Sequence, residues 1–219
     1  MKFHVQPRSV ICFVQFVVLA SGCRLLVAQE SVESRFLSNI RQVTRDYEKA
    51  GEGYFSPDSQ LIVFQAVQPQ YPFYQIFTQR LAGGPAKMIS TGRGRTTCAY
   101  FSPDGKRILF ASAHLNPDLD TLEAEERRAK EEAKRTGQRR RYSWPFDPYM
   151  DIYVCDLDGQ NRQRLTSEYG YDAEGAFSRD GNLIAYCHVD EPGPDAPDDA
   201  VRNPDIYVMN ADGSDKRRI

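Results

Sequence analysis

Histidine and tryptophan are scarce in this chain, three and one among 219 residues, and cysteine is little commoner at five. No Cys-x-x-Cys pair occurs and no two histidines stand at ligand spacing, which excludes zinc ribbons, zinc fingers and dithiol redox motifs. Gly-x-Ser-x-Gly and His-Glu-x-x-His are both missing, so the local signatures of α/β-hydrolases and zinc peptidases are absent too. Neither sign of charge dominates: 28 Lys and Arg against 30 Asp and Glu leave −2, with no whole-molecule attraction to nucleic acid. No cofactor and no metal centre is expected. A long apolar run is lacking as well, since the stretch from Val10 to Ala20, interrupted by Gln15, is too short to cross a bilayer comfortably.

That short run follows Lys2 and Arg8, the anatomy of a secretory signal over residues 1–28. Two exits are written in it. Ala20-Ser21-Gly22-Cys23 resembles a lipobox, after which Cys23 would be lipidated and attach the chain to the outer membrane. Leu26-Val27-Ala28 before Gln29 suits ordinary signal cleavage. Either exit delivers residues 29–219 to the periplasm or cell envelope, long enough for one domain with its own core.

What is abundant is a repeat. Phe55-Ser56-Pro57-Asp58, Phe101-Ser102-Pro103-Asp104-Gly105 and Phe177-Ser178-Arg179-Asp180-Gly181 each open a turn. An apolar strand follows each: Leu61–Phe64, Arg107–Ala111 and Leu183–Tyr186. Being apolar on both faces, these strands are expected to be covered twice. Further strands begin at Gln75-Ile76-Phe77, Asp151-Ile152-Tyr153 and Asp205-Ile206-Tyr207. Asp158-Gly159 and Asp212-Gly213 mark tight turns after the last two, and short basic strands such as Gln163-Arg164-Leu165-Thr166 finish the unit. Ser59 replaces the turn glycine in the first copy, and Arg179 replaces proline in the third. A period of about 45 residues, insertions removed, is that of a four-stranded propeller blade.

These blocks resemble the TolB-type, WD40-like propeller repeat over roughly residues 35–219. The resemblance implies an all-β fold: about three four-stranded blades (51–96, 97–173 and 174–219) of a six-bladed ring that serves as a binding surface in the periplasm. Ile40-Arg41-Gln42-Val43-Thr44 matches the last strand of a repeat, so residues 37–44 are expected to be a closing strand. Three blades and a lone closing strand make half of such a ring, and the sequence is expected to be part of a longer protein. Alone, it would leave two blade faces without partners. TolB itself carries a small α/β domain ahead of its propeller. Only residues 29–36 separate the signal from the closing strand here, so membership of the Tol–Pal complex is not expected.

The second repeat is interrupted by an insert over residues 115–149. Asp118 to Thr136 reads as a polar helix ended by Gly137, with Glu123/Arg127, Glu126/Lys130 and Glu131/Arg135 spaced for i,i+4 pairing. Arg139, Arg140, Arg141, Tyr142 and Trp144 then combine guanidinium groups with aromatic rings, as recognition surfaces do. The competing reading is that the aromatics pin the insert to its own blade while the acidic helix neutralises the arginines. His114, at the start of the insert, stands where it could face the central opening and bind, but as a lone histidine it is read as structural or solvent-facing; Cys155 and Cys187 are expected to be small buried hydrophobes. The acidic, proline-rich stretch 190–199 is read as a solvated loop rather than a Ca²⁺ site. The chain is therefore expected to be a non-catalytic propeller that binds a protein or glycan partner, and no nucleic acid, through its loop face. The alternatives are the leading propeller of a larger, prolyl-oligopeptidase-like hydrolase and a propeller lyase.

Overall fold

The computed structural model describes residues 32–141, 143–190 and 203–219. Residues 1–41 and 42–219 form two separate units. Of the first, the described part is a short 3-10 helix, Val32–Arg35, followed by irregular chain in which Phe36 and Ile40 are exposed. Residues 37–44 form no strand, contrary to the expected closing strand. These residues join none of the three sheets, and a strand is stable only when a sheet edge pairs its backbone N–H and C=O groups.

The second unit holds three four-stranded antiparallel sheets in simple up-and-down order. The first blade is β1 (Lys49–Phe55), β2 (Leu61–Val67), β3 (Gln75–Arg80) and β4 (Lys87–Met88). The second is β5 (Thr96–Phe101), β6 (Arg107–Ser112), β7 (Asp151–Asp156) and β8 (Gln163–Arg164). The third is β9 (Tyr171–Phe177), β10 (Leu183–Val189), β11 (Asp205–Asn210) and β12 (Arg217–Arg218). Helix α1 (Leu119–Thr136) lies between β6 and β7.

Each recurring residue has a structural task. In all three first turns the serine hydroxyl donates to the aspartate two residues on at 2.6 Å and accepts the N–H of Leu61, Arg107 or Leu183 at 2.9 to 3.0 Å. Gly105 and Gly181 take left-handed φ of 69° and 76°, and Ser59 adopts φ 57° in the same place. The terminal Ser or Thr has an equally definite role. Ser90 Oγ accepts the Ile76 N–H and donates to Gln75, and Thr166 Oγ1 does the same for Ile152 and Asp151. In the first two blades the Ser or Thr just beyond the fourth strand is thus hydrogen-bonded to the start of the third.

Blades stack through two apolar layers. Val63, Ile76 and Ile89 pack against Ile108, Phe110 and Tyr153 between the first pair; Leu109, Ile152 and Val154 pack against Ile184, Tyr186 and Met209 between the second. Glycines in the later turns set the spacing. A Cβ on Gly159 would stand 2.7 Å from the Ile89 carbonyl oxygen, and one on Gly213 would stand 3.0 Å from that of Leu165. β6 is buried on both faces, as its composition requires, but β10 alternates: Ile184 and Tyr186 are buried while Leu183 and Ala185 are exposed. The third blade is covered on one face among the described residues, so its apolar strand is covered once and not twice.

Candidate functional site

Successive turns of an antiparallel blade lie at opposite ends, so the β2–β3 loop, the β6–β7 insert and the links between blades gather on one rim, away from the Ser-x-Asp turns. On that rim α1 is held by charge more than by apolar contact. Asp118 occupies its N-cap and Gly137, at φ 67°, ends it. Leu119 is its one buried apolar residue, yet Glu123 is buried as well. Glu123 accepts two hydrogen bonds from Arg93 Nε, at 2.9 and 3.0 Å, and one from the Gly94 N–H at 3.0 Å. Gly94 has no room for a side chain: a Cβ there would lie 2.9 Å from the Ala113 backbone.

The expected i,i+4 pairs do not form; two of the side chains find partners off the helix and a third pairs one residue closer along it. Glu126 takes Arg140 bidentately at 2.7 and 2.9 Å, Lys130 reaches Glu48 at 3.0 Å, and Arg135 turns to Glu132 at i,i+3. The return segment is pinned separately. The Trp144 indole N–H donates to the Tyr171 hydroxyl at 2.9 Å, and buried Asp147 accepts from Asn116 at 2.9 Å and faces Arg95 at 3.6 Å. Arg95 lies over the Phe73 ring, 4.3 Å from its centroid, and burial lowers its pKa.

Between these elements opens a cleft of about 1270 Å³. Its walls are the β2–β3 loop (Tyr71, Pro72, Phe73, Tyr74), one face of α1 (Glu126, Arg127, Lys130, Lys134) and Arg139, Arg140, Arg141 and Trp144. The structure therefore brings together four of the residues singled out in the sequence. Both readings of that stretch hold in part. Arg140 is neutralised by the acidic helix and Trp144 anchors the insert, while Arg139 and Arg141 are exposed and have no ion-pair partner among the described residues. Tyr142, Cys23 and the acidic stretch from 191 onward lie outside the described residues.

His114 does not line this cleft. It packs on Tyr153 of the third strand, ring centroids 4.7 Å apart, and its Nδ1 meets Ser112 Oγ at 2.9 Å. Burial, with Arg162 and Arg164 nearby, pushes its pKa down to about 4. That Ser–His pair is not a nucleophile with its base: Ser112 is fully buried, the ring is a weak base, and the adjacent Asp151 is paired with Arg164 at 2.6 Å. Burial pushes Asp151 up to about 7 despite that ion pair. His188 is clamped by Asp172 at 2.6 Å and Asp190 at 3.0 Å; burial opposes the charged ring, but the two carboxylates outweigh it and raise the pKa. Among the described residues no group of three His, Cys, Asp or Glu side chains could hold a metal. No helix there is long and apolar enough to cross a membrane.

Phe73, Arg93, Arg95 and Asp147 were not marked by the sequence, and Glu123 was expected to pair with Arg127 rather than with Arg93 and Gly94. The available signal was Thr91-Gly92-Arg93-Gly94-Arg95, a link between blades that alternates glycine with arginine where the next link, Ser167–Gly170, has no arginine.

No family model matches the chain. A segment of 49 residues, 22% of this chain and 11% of the other, is 39% identical to the Tol-Pal system protein TolB of Desulfosudis oleivorans. Among solved structures, TolB from Acinetobacter baumannii superposes with a TM-score of 0.51 at 19% identity over 80% of this chain and 33% of that one. A puromycin hydrolase superposes with a TM-score of 0.51 at 16% identity over 81% and 23%. The chain thus spans well under two thirds of each of these proteins, and at these identities the superpositions establish the scaffold, which enzymes and non-enzymes share. With the turn and strand motifs, the stacked sheets and the matched segment together, the chain carries three four-stranded blades of a TolB-like, WD40-like β-propeller.

Proposed function

We propose that the chain is a non-catalytic binding module of the cell envelope, which receives a protein or glycan partner at the insert-bearing rim. The observation that carries this reading is the cleft of about 1270 Å³, walled by a cationic segment and a helix that no blade needs for its own core. Small-molecule pockets run to roughly 1,000 Å³, so the opening suits part of a larger partner. The tied-up chemistry of Ser112, His114 and His188 supports a role without turnover. Envelope location is supported by the secretory character of residues 1–28 and by the TolB likeness.

The test is a photo-crosslinking residue placed at Ser143, in the cleft wall, and in a second variant at Asn182, in a turn on the opposite rim. A discrete crosslinked envelope partner from position 143 and none from 182 is the expected outcome. Equal labelling at both, or none at either, overturns the reading.

A further inference from the structure

We propose that the cleft takes an extended acidic peptide, held by its carboxylates rather than by stacking; this rests on the loop-rim reading above. The balance of charge around the opening points that way. The carboxylates at the helix are largely consumed internally: Glu123 and Asp120 by Arg93, Glu126 by Arg140, Glu48 by Lys130. Among the described residues this leaves Lys49, Arg127, Lys134, Arg139 and Arg141 in the wall without an ion-pair partner, Arg127 donating to the Gln70 carbonyl, against one carboxylate, Glu131, in the same state. Guanidinium forks pair bidentately with carboxylates, as Arg140 already does with Glu126 within the chain.

The aromatic rings do not offer the alternative. Phe73 is 7% exposed with Arg95 across its face, and the Trp144 ring is half-buried beside Tyr74, centroids 6.4 Å apart, its N–H committed to Tyr171. A sugar ring needs an open aromatic face to lie on; Phe73 presents none, and Trp144 and Tyr71 are both half-buried. The free groups are cationic arms, and a carboxylate-bearing backbone of several residues matches both their charge and the size of the opening.

The experiment measures fluorescence anisotropy of a labelled oligo-glutamate peptide with the full chain. Oligo-glutamine and a uronic-acid oligosaccharide serve as separate arms, each at low and at physiological salt. Oligo-glutamate should bind, more weakly as salt rises, and oligo-glutamine should not. Arg139→Gln with Arg141→Gln should weaken binding about tenfold or more, since each charge-assisted contact is worth about a factor of ten. Both side chains are exposed, so the double variant keeps its fold, which an unchanged circular dichroism spectrum confirms. Undiminished peptide binding by the double variant overturns the proposal. So does binding of the uronic oligosaccharide but not the peptide, which would leave the loop-rim reading intact. If no arm binds while position 143 still crosslinks its envelope partner, the peptide inference falls alone; loss of the crosslink as well sinks both.

Discussion

At the scale of single residues, the structure separates positions where a side chain is strained from positions where it is merely placed. Ser59 sits at φ 57° in a turn whose two counterparts use glycine. Ser59→Gly should stabilise the chain by about 0.5–1 kcal/mol, read from the urea midpoint, because the left-handed region costs an L-residue about that much more than glycine. His114 and Asp151 make a second, signed pair. With its pKa near 4 in the folded chain against an ordinary 6.5, His114 contributes stability above pH 6.5 that is lost as pH falls towards 4. Asp151, near 7 against an ordinary 3.8, works the other way, its folded form losing stability as pH rises from 4 to 7. Urea midpoints measured from pH 4 to 8 should show wild type gaining on His114→Gln as pH rises to 6.5 and losing to Asp151→Asn over the same range. The turn serines, aspartates and glycines were legible in the sequence because their bonds close within five residues. Arg93–Glu123 was not, since it joins residues thirty positions apart and no local pattern marks it.

Elements show the same division. Strands, turns and the limits of α1 follow from periodicity and caps, and the helix was legible to within a residue. What α1 touches was not, because an exposed Glu/Lys pattern is satisfied equally well by neighbours on the helix or off it, and geometry chose the latter. Glu123→Ala should release the helix from the Arg93–Gly94 link at a cost of about 2 kcal/mol, since it strips the acceptor from a buried N–H. Breaking the surface Arg135–Glu132 pair should cost less than about 0.5 kcal/mol in the same denaturation assay. The inner strands hide one more regularity. Glu52, Cys98 and Glu174, each three residues before the turn phenylalanine, adopt φ of 46°, 53° and 57° where the register to the second strand shifts. Glutamate fills two of these positions and cysteine the third, and neither is a residue type that marks a left-handed turn, so the bulge could not be read from the sequence. Blade spacing has its own test. Gly159→Ala meets the Ile89 carbonyl as well as a left-handed φ and should cost about 2–3 kcal/mol; Gly105→Ala meets Pro57 at 3.6 Å and should cost about 1 kcal/mol.

For the second unit as a whole, the third blade's outward face decides behaviour in solution. Leu183 is 37% exposed, Ile206 49% and Ile219 69%, an apolar face with no cover among the described residues. Such a face drives self-association. Sedimentation should show concentration-dependent assembly of the full chain, reduced by Leu183→Lys with Ile206→Lys, and a sharply monomeric wild type would contradict it. The glycine contacts have a further consequence. Because Gly159 and Gly213 seat each sheet on the carbonyl of the one before, the approach of neighbouring blades on the turn side depends on two positions without a side chain. Foreign loops spliced between Ala113 and Met150 would leave those two seats untouched, which makes this rim the natural place for new specificities to be grafted.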